Sequence, residues 1–194
     1  MNIDKVILLI GIAVSTLGCV WIISKDWRRY GLLFLISSAI GETLCYIFVK
    51  IGFYSFPLRL LPNLSPMPFF VILTMIPLYV LLGVRYSPVK WQWKIPFYWV
   101  FVHVGMMLEV LALNFTSLIR YNRLWDAWDS YTWWWIYLLI FEYIGGIIVP
   151  SASRRPINTI HLRYGRLGWF LLHFVLIATV FLGGFYVGRV TSIK

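Results

Sequence analysis

Residues 6–24 read VILLIGIAVSTLGCVWIIS, an apolar stretch without a single charged side chain. An α-helix rises about 1.5 Å per residue, so roughly 20 apolar residues cross the ~30 Å hydrocarbon core of a bilayer. Five further mostly apolar stretches of similar length follow, at residues 31–51, 67–85, 95–115, 131–150 and 167–188. The sequence therefore predicts an all-α, polytopic membrane bundle with about six transmembrane helices, in a single integral membrane domain over residues 1–194.

The overall composition agrees with a chain that lies mostly in lipid. Hydrophobic residues make up 61% of the 194 residues and charged residues only 12%, whereas soluble domains carry roughly 25% charged residues. The net charge is +10, but the basic residues lie in short segments beside the apolar stretches. Such placement encodes membrane topology, so we expect a lipid bilayer, and not nucleic acid, as the partner of this charge. The sequence leaves the oligomeric state open.

Lys and Arg are divided unequally between the two sides of the six predicted spans. Ten lie on the side that holds the segments after the first, third and fifth spans, and seven lie on the other side. Cytoplasmic loops carry the excess of Lys and Arg, so the side with ten is predicted to be cytoplasmic and both termini extracellular. Residues 151–166, with four Arg and no acidic residue, contribute most to this bias.

Two segments on the predicted outer side are more than simple connections. Residues 53–66 are apolar but contain Pro57, Pro62 and Pro66, so we expect them to lie in the interface or to dip back into it. In residues 117–130, aromatic and apolar side chains recur at helical spacing, with charged side chains between them. This pattern predicts a short amphipathic helix on the outer surface, and a polar loop with aromatic anchors is the alternative.

Pro77 lies near the middle of the third predicted span. Proline has no amide hydrogen, so the carbonyl of Leu73 loses its usual helical partner and a kink is expected. A kink can serve a cavity or shape the bundle, and we favour the second interpretation.

Ionisable side chains inside the predicted spans are the informative exceptions to the apolar pattern. They are Glu42, His103, Glu109, Glu142 and His173. A charge at the bilayer centre costs about 2.5–3.5 kcal/mol on insertion scales, and burial or protonation lowers that cost. We therefore expect these side chains to face the interior, where those at similar depth on different helices would converge on one polar cavity. The alternative is that each Glu bonds to a Tyr, Trp or His on a neighbouring helix and fixes the packing.

The helical phase of these residues adds detail. Glu42 and Cys45 share one face of the second span, and Gly105 lies one turn before Glu109, where a small residue lets another helix approach. His103 and Glu109 are six residues apart, or about 240° around the helix, so they cannot point to the same place.

The region from the fourth to the fifth span carries a pattern of aromatic and polar residues around one membrane Glu. It consists of Glu109, Tyr121, Asn122, Trp125, Trp128 and Ser130. This pattern resembles a family of small uncharacterised multi-pass membrane proteins of spore-forming Gram-positive bacteria, over spans three to five. That family shares the size, the richness in Trp and Tyr, and a membrane Glu followed by such a segment. The resemblance implies a bacterial plasma membrane, and it implies no particular activity.

We predict an intramembrane, carboxylate-lined pocket that binds or transforms a lipophilic or small molecule. The candidate catalytic residues are the three carboxylates, Glu42, Glu109 and Glu142, because buried carboxyl groups can donate or accept protons. The candidate ligand-binding residues are His103, Tyr121, Asn122, Trp125, Trp128 and His173.

Two other function classes remain open from the sequence. Carboxylates at the membrane midplane can carry protons between two faces, which is typical of a small proton-coupled transporter. Basic loops can contact anionic lipid or an acidic partner, which is typical of a non-catalytic scaffold in a membrane complex. The chain has no phosphate-binding loop, no metal-ligand spacing and no nucleophile motif, so we expect neither a cofactor nor a metal. Whether the chain is an enzyme is left open.

Overall fold

The computed structural model describes residues 3–63, 65–158, 169, 170, 173, 174 and 177. By its contacts the chain divides into two compact units, residues 1–157 and residues 158–194. The first unit contains helices α1 (Ile3–Ile23), α2 (Trp27–Ile51), α3 (Phe69–Tyr86), α4 (Trp91–Phe115) and α5 (Ala127–Ile148), strands β1 (Tyr54–Ser55) and β2 (Arg120–Tyr121), and a short 3-10 helix (Ser151–Ser153). The prediction of one membrane domain over the whole chain stays a prediction.

Helices α1 to α4 are each long and apolar enough to cross a membrane. α5 is also long, with 22 residues, but it is not among these four because its Trp, Tyr and Glu side chains lower its mean hydropathy. The sixth predicted span, residues 167–188, lies largely outside the described residues. The structure is therefore mainly helical, with the pattern of a multi-pass membrane protein. The predicted number of about six spans is not confirmed.

The outward faces of the helices are apolar, as a lipid environment requires. Leu17 on α1, Leu35 on α2 and Ile147 on α5 are 70%, 63% and 72% exposed. Exposed apolar residues over whole helix faces are unfavourable in water and favourable in a hydrocarbon core. This surface supports the membrane assignment independently of helix length.

Capping residues fix where α2 begins and ends, and they extend it beyond the predicted stretch 31–51. The Asp26 side chain accepts a hydrogen bond from the Arg29 amide at 3.4 Å, so the helix begins at Trp27. Gly52 ends it with φ +87°, and its amide donates to the carbonyls of Phe48 and Val49. That left-handed conformation suits glycine, which has no side chain to clash.

The predicted amphipathic helix over residues 117–130 is wrong. The side chain of Asp126 accepts from the amides of Trp128 and Asp129 at 2.7 and 3.2 Å, and Asp129 accepts from the Asp126 amide at 2.9 Å. This capping box marks the start of α5 at Ala127. The residues before it form β2 and a loop, so the helical spacing in the sequence spans two different structures.

The two strands tie distant segments together at one end of the helices. β1 and β2 are antiparallel, with Tyr54 opposite Tyr121, and the Asn122 amide donates to the Phe53 carbonyl at 2.9 Å. We call this end, residues 52–68 and 116–126, the sheet end. We call the opposite end, residues 24–26, 87–90 and 149–157, the arginine end.

α3 lies at the centre of the first unit, since it packs against α1, α2 and α5 as well as α4. Its buried face includes Val80, Leu81 and Val84, each at most 1% exposed. Gly145 on α5 lets Val84 approach, because a Cβ atom at Gly145 would lie 2.4 Å from Val84 Cγ2. Close α3–α5 packing therefore depends on that glycine.

Pro77 has the local consequence that the sequence predicts. The Leu73 carbonyl that it frees accepts a hydrogen bond from Ser38 Oγ on α2 at 3.3 Å. Ser38 is 4% exposed and lies one turn before Glu42. The break in the α3 hydrogen-bond pattern is thus used to join α3 to α2.

Candidate functional site

Glu109 lies at the centre of a hydrogen-bonded group near the sheet end. Its Oε1 accepts from Tyr121 Oη at 2.6 Å and from Ser130 Oγ at 2.7 Å, and its Oε2 accepts from Trp134 Nε1 at 3.0 Å. Trp125 Nε1 donates to the same Ser130 hydroxyl at 2.7 Å. We call these five residues the sheet-end cluster, and its four members other than Glu109 are formally neutral.

Local structure explains why these side chains meet. Ser130 and Trp134 are four residues apart, so they share one face of α5 just after its capping box. That face lies against α4 at Gly105, where an added Cβ would be 3.2 Å from the Trp134 ring. The prediction that a small residue lets another helix approach Glu109 is confirmed.

Tyr54 extends the cluster toward α2. It stands opposite Tyr121 in the strand pair, and its hydroxyl lies beside the thiol of Cys45. Burial raises the pKa of both Tyr54 and Tyr121, and nearby ionisable groups, Glu109 among them, add to the shift. Both hydroxyls therefore stay protonated and act as hydrogen-bond donors.

Glu42 differs from Glu109 and Glu142 because no side chain among the described residues hydrogen-bonds to it, and the polar group beside it is the backbone of Leu73. Both of its carboxylate oxygens are buried and make no hydrogen bond within the part of the chain that the structure describes. It lies one turn before Cys45 on α2, where the buried Ser38 and Cys45 side chains face α3 and the sheet end. Burying a carboxyl group without a hydrogen-bond partner costs free energy. A bound ligand, protonation of the carboxyl group, or both would lower that cost at Glu42.

Glu142 is held in an ion network near the arginine end. Its Oε1 is bonded by Lys94 Nζ and, at 3.2 Å, by Arg154 Nη1, and its Oε2 accepts from Tyr98 Oη at 2.5 Å. Glu142 is 2% exposed and Lys94 is 8% exposed. We call these four residues the arginine-end network. The bonds favour the packing role for Glu142 over proton transfer, because both of its oxygens are already bonded by side chains of α4 and of residue 154.

The predicted ligand-binding side chains between residues 121 and 128 mainly make contacts that hold the fold together. Asn122 Nδ2 donates to the Gly52 carbonyl at 3.0 Å, which joins the β2 loop to the end of α2. The Trp125 ring stacks on Phe53 with centroids 4.9 Å apart. Trp128 caps the start of α5 through its amide, and its ring contacts Tyr131.

The two predicted histidines hydrogen-bond within their own helical segments. His103 Nδ1 lies 2.8 Å from the Trp99 carbonyl, and its ring packs between those of Trp99 and Tyr131. His173, in the second unit, has its Nδ1 2.8 Å from the Trp169 carbonyl. His103 shares no partner with Glu109, as their helical phase predicts.

The structure gives two of the three predicted acids separate groups of partners. Within residues 3–63 and 65–158, no hydrogen bond joins any two of Glu42, Glu109 and Glu142, and an apolar pocket at the sheet end is lined by none of them. Glu109 lies toward the sheet end, whereas Glu142 belongs to the arginine-end network. The expectation of one convergent polar site stays a prediction.

Sequence reasoning missed several partners. Tyr98 and Lys94 are four residues apart and so share one face of α4, which was a signal for a polar site inside the fourth span. Arg154 was counted only toward topology. Tyr54 carried no signal, because its role depends on pairing with a strand that lies 65 residues later.

Comparison with protein-family models, curated proteins and solved structures finds no match to this chain.

Proposed function

We propose that this protein binds a small lipophilic molecule inside the membrane, with Glu42 as the polar group that holds it. The observation that carries the proposal is the buried Glu42 carboxyl group without a hydrogen-bond partner among the described residues. A ligand that carries an amine or hydroxyl group would satisfy it, and the rest of the ligand would lie among apolar side chains. Transformation of the ligand would use Glu42 as a proton donor or acceptor.

The surroundings of the sheet end suit such a ligand. The Phe48, Phe53 and Tyr54 rings each lie within 5.4 Å of the Trp125 ring, centroid to centroid. Aromatic walls with few polar groups are typical of sites for apolar small molecules. The tyrosine hydroxyls supply donors at the edge of this aromatic group.

The cellular setting belongs to the same proposal. We place the protein in a bacterial plasma membrane, with six spans and both termini outside, so that the arginine end is cytoplasmic. The ten-to-seven division of Lys and Arg supports that orientation, and the 22-residue length of α5 supports a fifth crossing. The family resemblance over spans three to five supports a spore-forming Gram-positive source.

A carbodiimide experiment tests the role of Glu42. Dicyclohexylcarbodiimide is lipophilic and modifies protonated carboxyl groups in apolar surroundings. In lipid nanodiscs we expect it to label Glu42 and to leave Glu142 unlabelled, since Glu142 is paired with two cations. N,N-Dimethyldodecylamine, a lipophilic tertiary amine that the activated carboxyl group cannot convert to an amide, should slow the labelling of Glu42 about ten-fold by occupying the site.

Peptide mass spectrometry locates the label, and Glu42→Gln is the matched control that should abolish it. Labelling of Glu42 at the same rate with and without N,N-dimethyldodecylamine would contradict amine binding at this residue. Equal labelling of Glu109 and Glu42 would contradict the proposal that Glu42, and not the hydrogen-bonded Glu109, is the group that holds the ligand.

The tyrosine pair favours proton-coupled transport as a second candidate function. Cys45, Tyr54, Tyr121 and Glu109 form a line of protonatable groups from α2 to α4. Such a line would let a proton move between Glu42 and the sheet end. Proteoliposomes with an internal pH dye should then show a proton flux that Tyr54→Phe reduces, and no difference from empty liposomes would remove this candidate.

A further inference from the structure

The arginine end carries a large excess of positive charge. Among the described residues its helix ends and loops hold eight basic side chains and two acidic ones, Asp26 and Glu142. The basic residues are Lys25, Arg28, Arg29, Arg85, Lys90, Lys94, Arg154 and Arg155. Asp26 is already paired with Arg29 at 3.2 Å, so it does not offset the others.

The excess extends into the buried part of this end. Lys94 and Arg154 share a single carboxylate oxygen of Glu142, so this group of three keeps one uncompensated positive charge. Arg154 Nη2 is buried and has no acceptor among the described residues. Arg85 Nε is likewise buried without a hydrogen bond among them, and the Arg85 guanidinium lies over the Tyr30 and Tyr86 rings, 5.7 and 5.6 Å from their centroids. A buried guanidinium N–H without an acceptor is a strong, unused hydrogen-bond donor.

The backbone holds these two arginines on the same side of the fold. The Arg155 amide donates to the Arg85 carbonyl at 2.8 Å, and the Ile157 amide donates to the Tyr86 carbonyl at 3.0 Å. Arg85 Nη1 reaches the Ser153 carbonyl at 3.5 Å, next to Arg154 in the chain. The two side chains therefore start from adjacent backbone segments, where the end of α3 meets residues 153–157; Arg154 also donates from Nε to the Val149 carbonyl at 2.9 Å.

We propose that this site binds the phosphate of an anionic phospholipid headgroup. Guanidinium groups match phosphate oxygens in geometry as well as in charge. The site lies where α3 ends and α4 begins, which is the depth of lipid headgroups, and the exposed Trp27 and Trp91 at the same end favour that depth. It is separate from Glu42, so it stands whether or not the proposed function is correct.

Lipid retention in native mass spectrometry tests the site. The protein is released from nanodiscs that contain equal amounts of phosphatidylglycerol and phosphatidylcholine. We expect it to keep phosphatidylglycerol selectively, and Arg85→Gln to lower the retained fraction about ten-fold. Arg85 is the residue of choice because its loss leaves the Glu142 ion pairs intact. Arg120→Gln, the same charge change at the sheet end, should lower it less than about two-fold.

Thermal unfolding of the unaltered protein provides a second test that does not require the variants to fold. Phosphatidylglycerol should raise the melting temperature in detergent more than phosphatidylcholine does, and 10 mM inorganic phosphate should not reproduce the effect. Equal protection by the two lipids would overturn the site. Equal protection by inorganic phosphate would overturn the assignment to a lipid, and an equal loss of lipid in Arg85→Gln and Arg120→Gln would show general charge attraction instead.

Discussion

Glu109 on α4 and Glu142 on α5 both accept three hydrogen bonds, yet their donors differ in kind. Glu109 is bonded by neutral Tyr, Ser and Trp side chains, whereas Glu142 is bonded by Lys, Arg and Tyr. With both acids ionised, the sheet-end cluster carries one negative charge and the arginine-end network one positive charge. The two groups of side chains therefore differ in the sign of their net charge.

Removal of the charge on Glu142 should have the largest effect. In Glu142→Gln, Lys94 and Arg154 stay buried while their counter-charge is lost, and breaking such a pair costs about 3–5 kcal/mol. The free energy of unfolding, measured by Trp fluorescence during titration with a denaturing detergent, should fall by that amount. Lys94→Met combined with Glu142→Gln should recover part of the loss. A loss below about 1 kcal/mol would contradict the network.

The matching change at the sheet end should cost less. Glu109→Gln keeps one carbonyl oxygen for Tyr121 and Ser130, but its amide group then faces the Trp134 N–H without an acceptor. Hydrogen bonds to charged groups contribute about 1.5–3 kcal/mol, so we expect a loss in that range by the same titration.

Trp134→Phe provides the control for that prediction. In its background the added cost of Glu109→Gln should shrink, since the donor left unpaired is already gone. An effect of Glu109→Gln as large as that of Glu142→Gln would contradict the distinction between neutral and cationic partners.

Packing near the arginine end gives a third comparison, between adjacent glycines. Gly145→Ala places a Cβ atom 2.4 Å from Val84 Cγ2, and overpacking of this kind costs about 1–3 kcal/mol. At Gly146 the nearest atom to an added Cβ is Arg154 Nη2 at 3.5 Å, so Gly146→Ala should be nearly neutral. Equal unfolding free energies for the two variants would contradict the close approach of α3 and α5.

The helix positions could be predicted well from the sequence, because only long apolar stretches are stable in the hydrocarbon core of a membrane. The predicted stretches 6–24, 31–51, 67–85 and 95–115 each coincide with an observed helix within a few residues. The differences come from caps such as Asp26, which begin a helix in the polar flank before the apolar run starts. The loss of the helical hydrogen bond at Pro77 could be predicted equally well, since it depends only on the proline and its neighbours in the sequence.

The site was less predictable because its partners are distant in sequence. The sequence identified Glu109 and Tyr121, which lie close along the chain, but nothing local indicated Tyr54, which reaches Tyr121 only through the strand pair. Lys94 and Arg154 were counted as loop charges, although they end up buried on Glu142. A charge count assigns residues to a side of the membrane and does not show which of them turn inward.

Asp26 gives the smallest expected effect and adds a pH dependence to the arginine end. A hydrogen bond from Ser153 Oγ at 2.9 Å, with further help from Arg29, lowers the pKa of Asp26 below its usual value of 3.8. The folded-state pKa is the lower one, so the contact stabilises the fold above the usual value and is lost as the pH falls through the lowered pKa. Amide hydrogen exchange at residues 153–155, corrected for its intrinsic rate, should therefore rise between about pH 6 and about pH 3. Asp26→Asn should exchange faster at both pH values and lose that dependence, because it has no group to titrate. If the variant kept the same pH dependence, another titrating group would have to hold this segment in place.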